Sequence, residues 1–272
     1  MRITSFFLTI GLWLTSLTNA STFSLAELEH DWTTFLSKHV NANGFVDYTA
    51  IKADPAELLA IYRQLELHSP DSHPTLFPSE NHRFAYWINA YNIAIMKAVI
   101  DNYPIESVQD VSSFSVWALF DGGVFFAGIK HRFGGKKWSL YNLEKKLIRK
   151  RFDDPRLHFA LNCASIGCPE LPQEAFKADD LETQLDVETR AFMNDPRKFR
   201  IDDNKKEIQV SSLFDWYEAD YLAPKTSAKD ILSYIKPYLN NANKDKLEVA
   251  LGKGYSLTFI EYDWGLNDQA LQ

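Results

Sequence analysis

One long helix constrains the fold of this chain more than any other feature. The sequence predicts a helix that begins near Ser79 and ends before Pro104, because serine is a favourable N-cap and proline stops a helix. Residues 84–96 are apolar nearly all round, which is typical of a helix that is buried on every side. We therefore expect the rest of the chain to pack around this helix.

Two asparagines, Asn89 and Asn92, lie within the apolar part of this helix and share one face. A buried amide must be hydrogen-bonded, or it costs on the order of 1–3 kcal/mol. One interpretation is that both amides tie down the backbone of a loop. The other is that they line a site, where Asn89 would orient a catalytic group and Asn92 would bind substrate.

The remaining pattern mixes helices with short strands. A glycine turn at 121–123 between the apolar runs 114–120 and 124–129 predicts a hairpin, residues 199–210 predict a second hairpin, and 255–262 alternate like a terminal strand. Helices and hairpins do not alternate regularly, so we expect an α+β fold with helices packed on a small, mostly antiparallel sheet. No linker or repeat divides the chain, which predicts a single globular domain over residues 21–272.

The first twenty residues have the pattern of a secretory signal peptide. Arg2 precedes an apolar and hydroxyl-rich stretch, Ile3 to Leu17, and Ala20 is a small residue at the expected cleavage position. We expect the mature protein to be exported, periplasmic or secreted, without stable membrane insertion. Removal of Arg2 with this segment changes the formal net charge from -7 to -8, and an acidic chain has no general attraction for nucleic acid.

Both cysteines of the chain, Cys163 and Cys168, lie in one segment, residues 157–169. Its apolar start, 157–161, predicts a short buried strand that enters a tight loop. In an exported chain two cysteines tend to pair, and four intervening residues with a glycine allow the approach that a disulfide requires. A Cys163–Cys168 disulfide is therefore one interpretation of this segment.

The other interpretation is a thiol enzyme. Cys163 would be the nucleophile, His158 the general base, and Glu144 or Asn89 the group that orients the base. A straight strand would place His158 and Cys163 roughly 16 Å apart on opposite faces, so a direct contact requires the chain to bend before Cys163. His131, near the end of the first hairpin, is the alternative base.

Two further kinds of chemistry are less well supported by the pattern. His158, Cys163 and Cys168 match no standard zinc spacing and no fourth ligand can be named. Ser165 lacks the flanking glycines of a nucleophilic serine at a sharp turn. We therefore expect no metal and no cofactor.

Several motifs resemble those of the domain of unknown function 547 family. They are Phe84 to Asn92; Ser139-Leu140 with Leu143-Glu144 and Arg149; Pro155-Arg156 through His158 to Cys163 and Cys168-Pro169; Ser212 to Tyr217; and Tyr262 to Asn267. Members often have a histidine after the glutamate, where this chain has Lys145. The resemblance implies a fold and a set of candidate residues, without a reaction.

From these residues we expect a thiol-dependent hydrolase or acyl transferase that acts on a peptide or amide-like substrate, with Asn92, Arg156 and Ser165 as substrate contacts. The order of the candidate residues is similar, by analogy alone, to papain-like and transglutaminase-like enzymes. The alternative is a nonenzymatic cell-envelope protein that binds a small molecule or peptide and whose cysteines form a structural disulfide.

Overall fold

The computed structural model describes residues 23–111 and 123–272. The predicted signal peptide, residues 1–20, lies outside these residues, and so does the first arm of the first predicted hairpin, residues 114–120. Within the described residues, no helix is both long enough and apolar enough to cross a bilayer.

Helices dominate the described residues, and the strands are short. The α-helices are α1 (Leu25–His39), α2 (Tyr48–Ala53), α3 (Ala56–Leu67), α4 (Glu80–Asn102), α5 (Leu140–Asn142), α6 (Arg149–Arg151), α7 (Leu181–Asn194), α8 (Leu213–Trp216), α9 (Glu218–Tyr221), α10 (Ile231–Ile235) and α11 (Asn241–Gly252). The strands are β1 (His131–Phe133), β2 (Lys136–Trp138), β3 (Phe199–Asp202), β4 (Glu207–Ser211) and β5 (Ser256–Ile260).

Helix α4 is the central element that the sequence predicts. The hydroxyl of Ser79 caps its N-terminus by accepting a hydrogen bond from the amide of His82, and the helix ends two residues before Pro104. Residues 84–96 are all buried, and the helix packs against α2, α3 and α5. Its burial on every side explains why its sequence has no polar stripe.

The strands form two small sheets. Strands β1 and β2 make an antiparallel hairpin, while β3, β4 and β5 make a three-stranded sheet in which β3–β4 is antiparallel and β4–β5 is parallel. These sheets and the surrounding helices confirm the predicted α+β domain. A papain-like or transglutaminase-like architecture stays a prediction by analogy.

Two predicted strands are wrong. The run 124–129 is a π-helix, Val124–Gly128, and the hairpin begins only afterwards, at His131. The run 157–161 overlaps a 3₁₀ helix, Pro155–Phe159. Pro155 stands at the start of this helix, and the side chain of Asp154 caps it by accepting a hydrogen bond from the amide of Arg156. Short apolar runs do not distinguish a strand from a buried helical turn.

The apolar side chains form two clusters. The larger is built on α1, α3 and α4, and the smaller surrounds β3, β4 and α8 to α11. The segment that precedes the cysteines joins them, because Leu157 and Ala160 belong to the larger cluster and Phe159 to the smaller. The 3₁₀ turn thus places successive side chains in different clusters, and the cavity described below has walls from both.

Candidate active site

A cavity of about 510 Å³ opens between the two clusters. Its wall is largely apolar and rich in aromatic rings, and besides the polar atoms of the tyrosines and tryptophans its polar groups come from Glu144, His158 and Cys163. The described residues that line it are Tyr91, Gly123, Phe126, Ala127, Tyr141, Glu144, His158, Leu161, Cys163, Pro169, Leu213, Trp216, Tyr217, Tyr262 and Trp264. A largely apolar cavity of this size with a few converging polar groups is the usual form of a small-molecule site.

The cysteines form a disulfide at the edge of this cavity. Cys163 and Cys168 are bonded, with their Cα atoms 5.9 Å apart. Cys163 is partly exposed and lines the cavity, whereas Cys168 is buried. The Tyr262 hydroxyl lies 3.0 Å from each sulfur. In this form the protein has no free thiol among its described residues, so chemistry at Cys163 first requires the disulfide to open.

The loop that carries Cys163 is held tightly. The amide of Cys163 donates to the sulfur of Cys168 at 2.9 Å, and the amide of Ala164 donates to Oδ1 of Asn162 at 2.8 Å. Ala164 has a φ of 62°, in the left-handed region that residues other than glycine rarely occupy. Such local strain is characteristic of functional loops.

His158 is buried and paired with an acid that the sequence did not reveal. Its Nε2 lies 2.9 Å from Oδ2 of Asp220, and its ring stacks on Tyr217 at a centroid distance of 4.0 Å. Burial lowers the pKa of His158, although the carboxylate of Asp220 acts in the opposite direction. Its other ring nitrogen, Nδ1, has no hydrogen-bond partner among the described residues, so only Nε2 is fixed by a hydrogen bond.

Asp220 is a point where several charges converge. Besides His158, it accepts from Nε of Arg149 at 2.8 Å and from Nζ of Lys225 at 2.7 Å. Burial alone would raise the pKa of this carboxyl, but the hydrogen bonds from His158 and Lys225 and the charge of Arg149 hold it well below its usual range. Asp220 is therefore ionised and fixes the orientation of the imidazole, as the acid of a catalytic triad does.

Glu144 lies in the cavity wall on a π-helical segment, Leu143–Ile148. π-Helical turns are rare and are frequently found at functional sites. Burial raises the pKa of Glu144, while the charge of Arg149 and a hydrogen bond from Tyr217 partly offset that effect. Lys145, which replaces the histidine of the family pattern, contacts the ring and hydroxyl of Tyr141.

Both candidate asparagines use their amides on backbone groups. Asn89 bonds the carbonyl and the amide of Phe176 at 2.8 and 3.0 Å. Asn92 bonds the carbonyl of Ala160 at 3.0 Å and the amide of Asn162 at 2.9 Å. Neither lines the cavity. These contacts correspond to the first of the two interpretations above, in which the amides hold the backbone of a loop. Asn92 nevertheless fixes the segment that leads into Cys163.

The structure does not bring three other candidate residues to the cavity. Arg156 pairs with Asp154 and Glu182 on a different surface. Ser165 lies within the disulfide loop, is buried, and does not line the cavity. His131, the alternative base, is buried with its Nδ1 3.2 Å from the hydroxyl of Tyr62, and it does not line the cavity.

The described residues contain no group of three or more histidine, cysteine, aspartate or glutamate side chains placed to hold a metal ion. The three residues considered above as metal ligands have other partners: Cys163 and Cys168 bond each other, and His158 bonds Asp220.

Sequence reasoning missed Asp220, Tyr217 and Tyr262 as parts of this site. Asp220 is 62 residues from His158 along the chain, and a lone sequence gives no signal that pairs residues so far apart. The motifs Ser212 to Tyr217 and Tyr262 to Asn267 did indicate the two segments that supply the tyrosines.

Comparison with known proteins identifies a family and no activity. Residues 76–193 match the family described as "Protein of unknown function, DUF547"; Ser212 to Tyr217 and Tyr262 to Asn267 lie outside this match. No curated protein and no solved structure matches the chain significantly. The matched segment contains α4, Glu144, His158 and the disulfide loop, and it is this part of the chain, residues 76–193, that belongs to the domain of unknown function 547 family.

Proposed function

We propose that this protein is an exported thiol-dependent hydrolase or acyl transferase for peptide or amide-like substrates, and that the Cys163–Cys168 disulfide is its resting form. The observation that carries the proposal is the meeting of Cys163 and His158 in the wall of one cavity, with His158 oriented by Asp220. Nucleophile, base and orienting acid are the three parts of a catalytic triad.

The proposed reaction begins with reduction of the disulfide. A dithiol reductant transfers two electrons and two protons to the Cys163–Cys168 bond, which yields two thiols and an oxidised reductant. Cys163 is the sulfur that an incoming group meets first, since it lines the cavity and Cys168 is buried.

His158 then takes the proton of Cys163 on Nδ1, while Nε2 keeps its bond to Asp220. The thiolate attacks the carbonyl carbon of the substrate, the imidazolium returns the proton to the leaving amine, and a thioester forms on Cys163. Water or a second amine cleaves that thioester and regenerates the thiol. In the disulfide form the Tyr262 hydroxyl lies 3.0 Å from both sulfurs. In the proposed reaction it donates a hydrogen bond to the thiolate or to the oxyanion.

Two matched variants test this proposal, because Cys163→Ser and Cys168→Ser both remove the disulfide and each leaves one thiol. Each protein is incubated with 4-nitrophenyl acetate, a general acyl donor, and its intact mass is measured. We expect a single acetyl adduct on Cys168→Ser and none on Cys163→Ser. Equal acetylation of both variants, or of neither, would refute a nucleophilic role for Cys163.

The disulfide itself favours a second candidate, a nonenzymatic cell-envelope binding protein whose cysteines are structural. A closed disulfide beside an aromatic cavity is sufficient for binding without chemistry. In that case both serine variants lose stability to the same extent, and neither reacts with the acyl donor faster than a denatured control.

A further inference from the structure

The described part of the cavity wall combines aromatic rings with one carboxylate, Glu144, and one imidazole, His158. Among the described residues that line the cavity there is no lysine or arginine. Three rings, those of Trp216, Tyr262 and Trp264, pack on one another with centroids 4.5 to 6.0 Å apart. Trp216 remains 49% exposed, so this cluster presents open ring surface.

Glu144 is the acid of this wall, and the proposed reaction does not use it. The group that orients His158 is Asp220, and the same Asp220 takes the ion pairs of Arg149 and Lys225. Glu144 itself has no basic side chain within 4 Å among residues 23–111 and 123–272. The charge of Arg149 acts on Glu144, but Arg149 makes its ion pair with Asp220. Glu144 therefore has no direct ion pair in the described part of the chain and is favourably placed to form one with a ligand.

Aromatic faces add to the attraction for a cation. A positive group over the face of a tryptophan or tyrosine is stabilised by the ring electrons. Two rings of the wall already contact cations of the protein: Arg149 lies 4.9 Å from the ring centroid of Tyr217, and Lys145 lies 5.1 Å from that of Tyr141. Trp216, Tyr262 and Trp264 have no such cation among the described residues.

We propose that the cavity selects ligands with a positively charged amino group on an apolar body, with Glu144 as the counter-ion and the Trp216–Tyr262–Trp264 cluster as the apolar wall. This inference rests on the proposed function, for which it names the substrate class: amides or peptides that carry a free amine near the scissile bond. Anionic acyl groups are disfavoured, since the described wall offers them one like charge, Glu144, and no lysine or arginine.

The test uses three small probes that share a phenyl ring and have similar length: phenethylamine, phenethyl alcohol and 3-phenylpropionate. Their dissociation constants are measured by calorimetry at neutral pH on the purified protein with its disulfide intact. We expect the amine to bind about tenfold more tightly than the alcohol, and the carboxylate to bind most weakly. Equal affinities for amine and alcohol would overturn the proposal.

Matched variants assign the preference to a residue. In Glu144→Gln the amine-to-alcohol ratio should fall to near one, whereas Glu218→Gln, which removes an exposed acid outside the wall, should keep the wild-type ratio. Trp216→Ala alters an exposed ring and should weaken the binding of the amine. Retention of the full preference in Glu144→Gln, or its loss in Glu218→Gln, would contradict the assignment.

The outcomes separate this inference from the proposed function. Binding is measured on the disulfide form, in which no acyl transfer takes place. Selection of the amine together with failed acetylation of Cys168→Ser would support the ligand class and refute the enzyme. Acetylation of Cys168→Ser without any preference for the amine would support the enzyme and refute the ligand class.

Discussion

The two buried histidines of this protein differ in what surrounds them. His131 and His158 are 3% and 5% exposed, and the sequence indicated both as candidate bases. His131 lies on β1, where the Tyr62 hydroxyl contacts its Nδ1, and its Nε2 has no hydrogen-bond partner among the described residues. His158 has the carboxylate of Asp220 on one nitrogen and lines a cavity.

The difference shows that burial alone does not make a base. Burial, with a smaller contribution from Lys97, lowers the pKa of His131 to about 4, so it stays neutral and has no access to substrate. Burial also lowers the pKa of His158, but the carboxylate of Asp220 partly offsets this effect. A base needs a partner that stabilises its protonated form and an open side toward substrate.

Removing the partner of His158 should have the largest effect on stability. Asp220→Ala leaves Arg149, His158 and Lys225 without their shared carboxylate, and the loss of one partner from a buried ion pair typically costs about 3–5 kcal/mol. Urea unfolding should show this decrease. Asp215→Ala, at an exposed acid on the neighbouring helix, is the control and should change stability by less than about 0.5 kcal/mol. Similar small changes in both variants would mean that the cluster around Asp220 is not a coupled unit.

His131 should make the stability of the folded protein decrease at acidic pH. Folded His131 stays neutral down to about pH 4, whereas an unfolded histidine is protonated below about pH 6.5. The unfolded state therefore binds more protons between these values, and stability falls as the pH is lowered from 6.5 to 4, by about 3 kcal/mol for this group. His131→Phe should remove this part of the pH dependence in urea titrations. An unchanged slope in His131→Phe would show that His131 is protonated in the folded state.

The two amides of α4 offer a smaller and more selective comparison. Asn89→Ala and Asn92→Ala each strand one buried carbonyl and one buried amide, which costs about 2–3 kcal/mol. Both should lose similar stability, but only Asn92 holds the segment before Cys163. In a Cys168→Ser background, Asn92→Ala should therefore slow alkylation of Cys163 while Asn89→Ala does not. Equal rates in the two variants would show that Asn92 has no influence on the thiol.

Much of the fold follows from local signals. Ser79 and Pro104 delimit α4, and the absence of a polar stripe predicts its central position. The run 157–161 was misassigned because its side chains enter two different clusters, which a 3₁₀ turn allows and which no local pattern encodes. Similarly, the apolar run 124–129 has the pattern of a strand, but it contains the π-helix Val124–Gly128, of which Phe126 and Ala127 line the cavity.

The candidate site was predictable only in part. Cys163, His158 and Glu144 carry chemistry and belong to motifs, and all three line the cavity. Asp220 was not found because its role depends on a contact between distant segments. Asn89, Arg156 and Ser165 have polar side chains of the kinds found in active sites. In the structure Asn89 and Arg156 bond other partners, and Ser165 is buried and is not among the lining residues.

The most direct test of the account is the pH dependence of Cys163 alkylation by iodoacetamide. It is measured in Cys168→Ser and in the double variant Cys168→Ser/His158→Ala. We predict that Cys168→Ser reacts with an apparent thiol pKa well below the usual value of about 8.5, because the His158–Asp220 pair accepts the proton, and that the double variant returns to that value. The same pKa in both proteins would contradict the claim that His158 activates Cys163.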